Sequence, residues 1–157
     1  MAGSCIQRRM EPLAEGDDWV AFDVAAPGGG EPGAGLHAVA GTDPDVAGIA
    51  LFARTPGAQQ RLSDALAAAP EALRYHAIVR TPPWRDGRFE EPYAGRSAAT
   101  EFEVIETRGP ASLLALRPDA ADPKQLRFHL ARAGHPIAGD TRRGGAEVAG
   151  GLRLRVA

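Results

Sequence analysis

The chain reads as an α+β single domain, a mainly antiparallel mixed sheet with a few helices. Three observations predict this. Short apolar or alternating segments recur along the 157 residues and outnumber helical patterns. Two of them, 99–106 and 112–117, flank Arg108-Gly109-Pro110 as a hairpin. The strands are not separated by regular helices, which argues against a βαβ array. Hydrophobic residues make up 44% and charged residues 24%, so the chain can bury a core of ordinary size.

The elements follow in order. Residues 1–14 show no periodicity and read as a poorly ordered N-terminal segment ahead of a domain over 15–157. Trp19–Val24 alternates and predicts a strand. Residues 26–35 hold five Gly and two Pro and must be a loop. Gly48–Arg54 is a buried strand. Thr55 then caps a helix with Pro56 at its first position and Leu62, Ala65, Leu66 and Ala69 on one face, stopping near Pro70. Leu73–Val79 alternates again, and Thr81–Gly95, punctuated by Pro and Gly, reads as a loop. Pro123 opens a second helix with Leu126, His129 and Leu130 on one face and Gly134 just beyond its end. Leu152–Val156 closes with a strand.

Several function classes are excluded by residue type. No run of about 18 apolar residues exists to span a membrane, and the N-terminus lacks the apolar stretch of a secretory signal, so a cytoplasmic location is expected. A lone Cys5 builds neither a disulfide framework nor a cysteine metal site, and His129 and His135 lack a third ligand nearby in sequence. Gly28-Gly29-Gly30 lacks the spacing and the Lys-Ser/Thr of a nucleotide loop. No serine elbow is present. Carboxylate chemistry and Arg-rich binding remain.

Charge is graded along the chain. Residues 1–50 carry 2 basic and 8 acidic side chains, whereas residues 107–157 carry 9 and 4, a net +5. A phosphate-bearing partner favours that last third, although a mixed surface without further meaning fits the same counts. Asp43, in Ala40-Gly41-Thr42-Asp43-Pro44-Asp45, reads by residue type alone as a turn aspartate bonding its own backbone. Trp84 has two readings, a base-stacking platform or, better, a loop aromatic covering the core. His129 and His135 read as structural, one at the helix–sheet interface and one in a turn.

The segment Lys124-Gln125-Leu126-Arg127-Phe128-His129-Leu130, followed by Gly134-His135-Pro136-Ile137-Ala138-Gly139-Asp140, resembles the C-terminal signature of the RluA-type pseudouridine synthases. There a Gln-Ile/Leu-Arg-x-His helix precedes Gly-His-Pro-Ile-x-Gly-Asp. Gly48–Thr55, Arg74–Val79, Ala98–Val104 and Glu15–Asp23 are similar to the family's other blocks, in the same order. The resemblance covers about residues 15–157.

It implies a pseudouridine synthase-like catalytic fold and isomerisation of uridine in rRNA or tRNA, with no cofactor, no metal and no nucleotide. Counting back from Gly48 places the family's catalytic aspartate at Asp43, and the same alignment of motifs places its active-site tyrosine at Tyr75 and its basic partner at Arg127. Arg127 is then expected within ion-pair reach of Asp43, with Tyr75 stacking on the flipped base. Leu126 is expected to pack beneath that base, and Arg132, Arg142 and Arg143 to neutralise phosphates. RNA is the expected partner, and the chain is expected to act as a monomer away from membranes. Where the family has His-Arg-Leu-Asp the chain has Ala40-Gly41-Thr42-Asp43, and Ala121-Asp122-Pro123-Lys124 replaces Gly-Arg-Thr-His. These departures keep two alternatives open, an inactive RNA-binding domain of the same fold and a protein-interaction domain.

Overall fold

The computed structural model describes residues 12–24, 34–41, 43, 45–69, 72–120, 122–149 and 152–157. Most of the Gly-rich 26–35 segment and residues 1–11 lie outside them.

In the first half, β2 (Trp19–Val24) and β4 (Ala47–Ala53) pair antiparallel, with Val20 opposite Phe52 and Phe22 opposite Ala50. The rings of Phe22 and Phe52 meet edge-on at 5.8 Å and form a small core with Val20 and Ala50. Two strands were not apparent from the sequence: β1 (Ala14–Glu15) on β2, and β3 (His37–Ala40) on β4. Ala14 is therefore already paired, opposite Ala21. Helix α1 (Pro56–Ala68) starts as the cap predicts, the Ala58 N–H donating to Thr55 Oγ1 at 3.1 Å. Its buried stripe is narrower than expected. Ala58 is covered and Leu66 packs on the core, but Ala65 is exposed.

The second half is β5 (Tyr75–Arg80), β6 (Asp86–Phe89), β7 (Thr100–Arg108), β8 (Ala111–Pro118), α2 (Pro123–Arg132), a 3-10 turn (Thr141–Arg143) and β9 (Leu154–Val156). The β7–β8 hairpin stands where the sequence puts it, closing at Arg108 opposite Ala111. The Thr81–Gly95 loop is corrected, because it contains β6, paired with β7 at the sheet edge. Asp86-Gly87-Arg88-Phe89 has no strand alternation of its own. It is held by the ladder and by Phe89 stacking on Phe102 at 4.7 Å.

Among the described residues, nine strands form one sheet in the order β1-β2-β4-β9-β5-β8-β7-β6, with β3 on β4. Every pairing is antiparallel except β4 with β9. That parallel contact is very close at Gly48 (φ +111), where a Cβ would stand 2.3 Å from the Val156 carbonyl oxygen. A glycine is what lets β9 dock beside the turn that carries Asp43. One sheet face bears the main core, in which Tyr75, Ala77, Val79, Leu114, Leu116, Leu154 and Val156 meet Leu126 and Leu130 of α2. Each fully buried leucine there contributes about 1.5–3 kcal/mol by leaving water. Among the described residues, no helix is long and apolar enough to cross a membrane.

Candidate active site

Helix α2 is gripped on one side. The Asp122 carboxylate accepts the Lys124 N–H at 3.0 Å, capping the first turn. Gln125 and His129, one turn apart, both reach Thr100 Oγ1 of β7, at 3.2 and 2.9 Å. The Gln125 amide also donates to the Ala99 carbonyl and to Asp119, and its oxygen accepts from Arg96. His129 Nε2 donates to the Glu91 carbonyl at 2.8 Å, so in the neutral ring Nδ1 accepts from the Thr100 hydroxyl. At about 100° per residue, position 127 lies opposite the 125/129 edge. The two groups that grip the sheet thereby aim Arg127 the other way.

Arg127 meets carboxylates there. Its Nε and Nη2 donate to both oxygens of Asp140 at 2.9 and 2.8 Å, a fork on a fork. Its Nη1 stands 3.6 Å from Asp45. The hydrogen bonds from Asp140 outweigh the desolvation of the guanidinium and, with the charges of Asp140, Asp45 and Asp43, raise its pKa above the ordinary arginine value. Asp43 is half-buried in the turn before β4, where its Oδ1 accepts the Asp45 N–H at 2.9 Å. The expected direct pair of Arg127 with Asp43 is not formed. The fork goes to Asp140, and Asp45 is the nearer carboxylate of the turn.

Tyr75 opens β5 and is only 1% exposed. Burial above all, then the charges of Asp122 and Asp43, push its phenol up to about 12. It stays protonated at neutral pH, and its ring has no open face in this structure. The folded state holds the phenolic proton more tightly than the unfolded chain, so this contribution is complete below about pH 10 and lost as pH rises through about 12. We predict that alkaline titration of unfolding shows a loss of about 2–3 kcal/mol across that window, absent in Tyr75→Phe. An unchanged alkaline limb in the Phe variant counts against a buried neutral phenol.

Leu126 is wholly inside the core. Arg132 is exposed and donates to Glu91 at 3.0 Å, whereas Arg142 and Arg143 of the 3-10 turn are exposed and make no ion pair among the described residues. His129 is at the helix–sheet interface, and His135 faces the Arg80 carbonyl oxygen through Nδ1 at 3.0 Å. As that oxygen only accepts, His135 Nδ1 is the donor. Trp84 covers the core edge, tilted on Phe102 at 5.7 Å and edge-on to His135 at 4.9 Å. Asp45 and Asp140 join the site beyond the residues expected from the sequence, although the repeated acid of Asp43-Pro44-Asp45 and the end of the Gly-His-Pro motif mark both. Among the described residues, no three His, Cys, Asp or Glu side chains converge as metal ligands.

No family model matches the chain. The ribosomal large subunit pseudouridine synthase D of Yersinia pestis is 30% identical over 117 residues, covering 66% of this chain and 36% of that protein. An uncharacterized RNA pseudouridine synthase of Zymomonas mobilis is 31% identical over 116 residues, 62% of this chain and 53% of its own length. In fold, human RNA pseudouridylate synthase domain containing 4 superposes with a TM-score of 0.72 at 16% identity, covering 92% of this chain and 81% of that one. Human RNA pseudouridylate synthase domain containing 1 gives 0.70 at 15% identity over 99% and 79%. The chain is a homologue of the RluA-type pseudouridine synthases.

It spans about a third to a half of the length of the curated pseudouridine synthases it matches. Its sheet-dominated α+β architecture, with two helices and a mixed sheet, is the pseudouridine synthase fold. Against the pseudouridine synthase pattern, position 41 stands out. Where the motif arginine is expected, Gly41 has φ +69, and a Cβ there would lie 2.0 Å from the Ile49 carbonyl oxygen. Backbone, not side chain, fills that corner of the turn.

Proposed function

We propose that this chain isomerises uridine to pseudouridine in structured RNA, through a single domain over 15–157 that needs no cofactor. The names of the curated relatives favour ribosomal RNA over transfer RNA as the substrate class. One observation carries the reading. Arg127 from α2 reaches the β3–β4 turn that carries Asp43, its Nη1 standing 3.6 Å from Asp45, whose own N–H donates to Asp43 Oδ1 at 2.9 Å, and the Asp43 charge also acts on the phenol of Tyr75 from β5. In the reaction the N1–C1′ bond breaks, uracil turns, C5 bonds C1′, and the C5 proton leaves as N1 gains one. Asp43 is the nucleophile or base, and Arg127 supplies positive charge beside it. Tyr75, a neutral phenol at 1% exposure, serves as proton donor and relay once RNA binding uncovers it, and not as a phenolate base. Leu126 forms the apolar floor. We read the chain as a cytoplasmic monomer.

The test is direct. Purified chain is incubated with ribosomal and transfer RNA transcripts, and pseudouridine is counted after digestion. Formation at a defined uridine is expected, and binding without conversion favours the inactive RNA-binding reading.

Arg132, Arg142 and Arg143 are the proposed phosphate contacts. Arg142→Ser with Arg143→Ser is expected to weaken RNA binding and to flatten the salt dependence by about 1.4 in log–log slope, about 0.7 per single-strand phosphate. Filter binding over a salt series measures it. A slope equal to that of the parent chain removes these two residues from the interface.

A further inference from the structure

We infer that the cavity between Trp84 and the bulge of β7 is a second RNA subsite, a slot in which an unpaired nucleobase stacks at a distance from the reacting uridine. This rests on RNA as the substrate proposed above.

The slot is built by a break in the ladder. Val104 stands opposite Leu114 and Glu106 opposite Leu113, so Ile105 is an extra residue in β7. Val104 and Ile105 thereby both line a cavity of about 330 Å³, and Pro82, Pro83 and Trp84 complete its apolar wall. Trp84 is 38% and Ile105 51% exposed, although both are large and apolar. Contacts with Phe102 and His135 fix the tilt of the indole. The volume is at the lower end of small-ligand sites and suits a single flat ring.

The hydroxyls of the floor say which ring. Thr81 Oγ1 donates to the Gly109 carbonyl at 3.3 Å, so it accepts from Ser112 Oγ at 3.1 Å. Ser112 has then spent its one proton, and its 2.9 Å contact with Thr107 is a donation from Thr107. Thr107, on the cavity lining, is left with lone pairs alone. The floor therefore takes a ring with N–H groups at its edge, as every RNA base has. A proline ring, which aromatic walls also recognise, has none.

Charge and position agree. Arg85 lines the slot with no carboxylate partner among the described residues, and Glu106 is already paired with Arg108 at 2.6 Å. Alternation along β7 sets Glu101 and Glu103 on the other sheet face from Phe102. His135, edge-on to Trp84, begins the segment that leads to Arg142 and Arg143. From Tyr75 to Arg80, β5 runs about 17 Å toward the slot, a span that a few unpaired nucleotides bridge.

Two variants test it. Trp19→Phe leaves Trp84 as the single tryptophan. Its fluorescence is expected to quench on titration with a short single-stranded RNA of mixed sequence, saturating where filter binding saturates. Trp84→Leu, which keeps an apolar side chain against Phe102, is expected to bind that RNA about tenfold more weakly, the effect of one lost base stack. Its salt dependence keeps the parent slope, because indole carries no charge, whereas a structural loss that displaces arginines changes it. An unquenched Trp84 in the RNA-bound protein overturns the inference. So does parent-like affinity in Trp84→Leu, or a quench given by a proline-rich peptide and not by RNA. Should Trp84→Leu fail to fold, Ile105→Ser on the exposed wall takes its place, with a weakening of the same order expected. Uridine conversion with Trp84 unquenched sinks the slot alone. A quench without conversion by the parent chain sinks the proposed catalysis and leaves the slot standing.

Discussion

Asp43→Asn is expected to leave the chain folded and to remove its activity. Asparagine keeps the side-chain oxygen that accepts the Asp45 N–H, so the turn into β4 retains its bond, and thermal unfolding should be nearly unmoved. What goes is the charge that the proposed chemistry needs. A nucleophile or base deprived of its ionised form should cost about 10³-fold or more in rate, equivalent to roughly 4 kcal/mol of transition-state stabilisation. Pseudouridine counted on the substrate RNA, with the variant checked for parent-like melting, gives the answer. If Asp43→Asn keeps more than about a tenth of the rate, Asp43 is not the reacting group. Asp45, the closer partner of Arg127, then becomes the candidate.

Gly41→Arg should fail as a restoration. It writes the family's motif residue into its place, yet the backbone there has φ +69, and a Cβ would sit 2.0 Å from the Ile49 carbonyl oxygen. A left-handed non-glycine costs about 1–3 kcal/mol, and displacing a strand carbonyl adds to it. We expect a loss of about 2–4 kcal/mol and a Tm lower by about 5–15 °C, with no gain in turnover. A variant as stable as the parent and more active would show that the turn readily relaxes to the arginine-bearing form.

The parts of the fold that could be read in advance are those in which local signals agree. Thr55-Pro56 and Asp122-Pro123 mark helix starts by capping chemistry, and β5, β7 and β8 alternate cleanly between core and solvent. The edge strand β6 was illegible because Asp86-Gly87-Arg88-Phe89 becomes a strand only through its neighbour. The short β3 follows a Gly-rich stretch and shifts register against β4 between Ala38 and Ala40, which blurs any period. Of the candidate site, Asp43, Tyr75 and Arg127 could be named by counting along motifs. The choice Arg127 makes among three carboxylates could not. It depends on the chain folding back so that Asp140, 13 residues further on, arrives under the helix. Nor does the strand pattern reveal that Tyr75 is sealed in, since that requires α2 and β9 to be in place.

The central position of β9 has a consequence for how the molecule comes into being. This strand is reached only after all the others, yet it alone bridges β4 to β5. Until it docks, β1–β4 with Asp43 and the β5–β8 meander with Tyr75 are two unfinished sheets with open edges facing each other. Such pairing across the chain is slow to form. A nascent polypeptide therefore emerges with its sheet unclosed, and the step that completes the sheet is also the one that brings the turn of Asp43 and the strand of Tyr75 together.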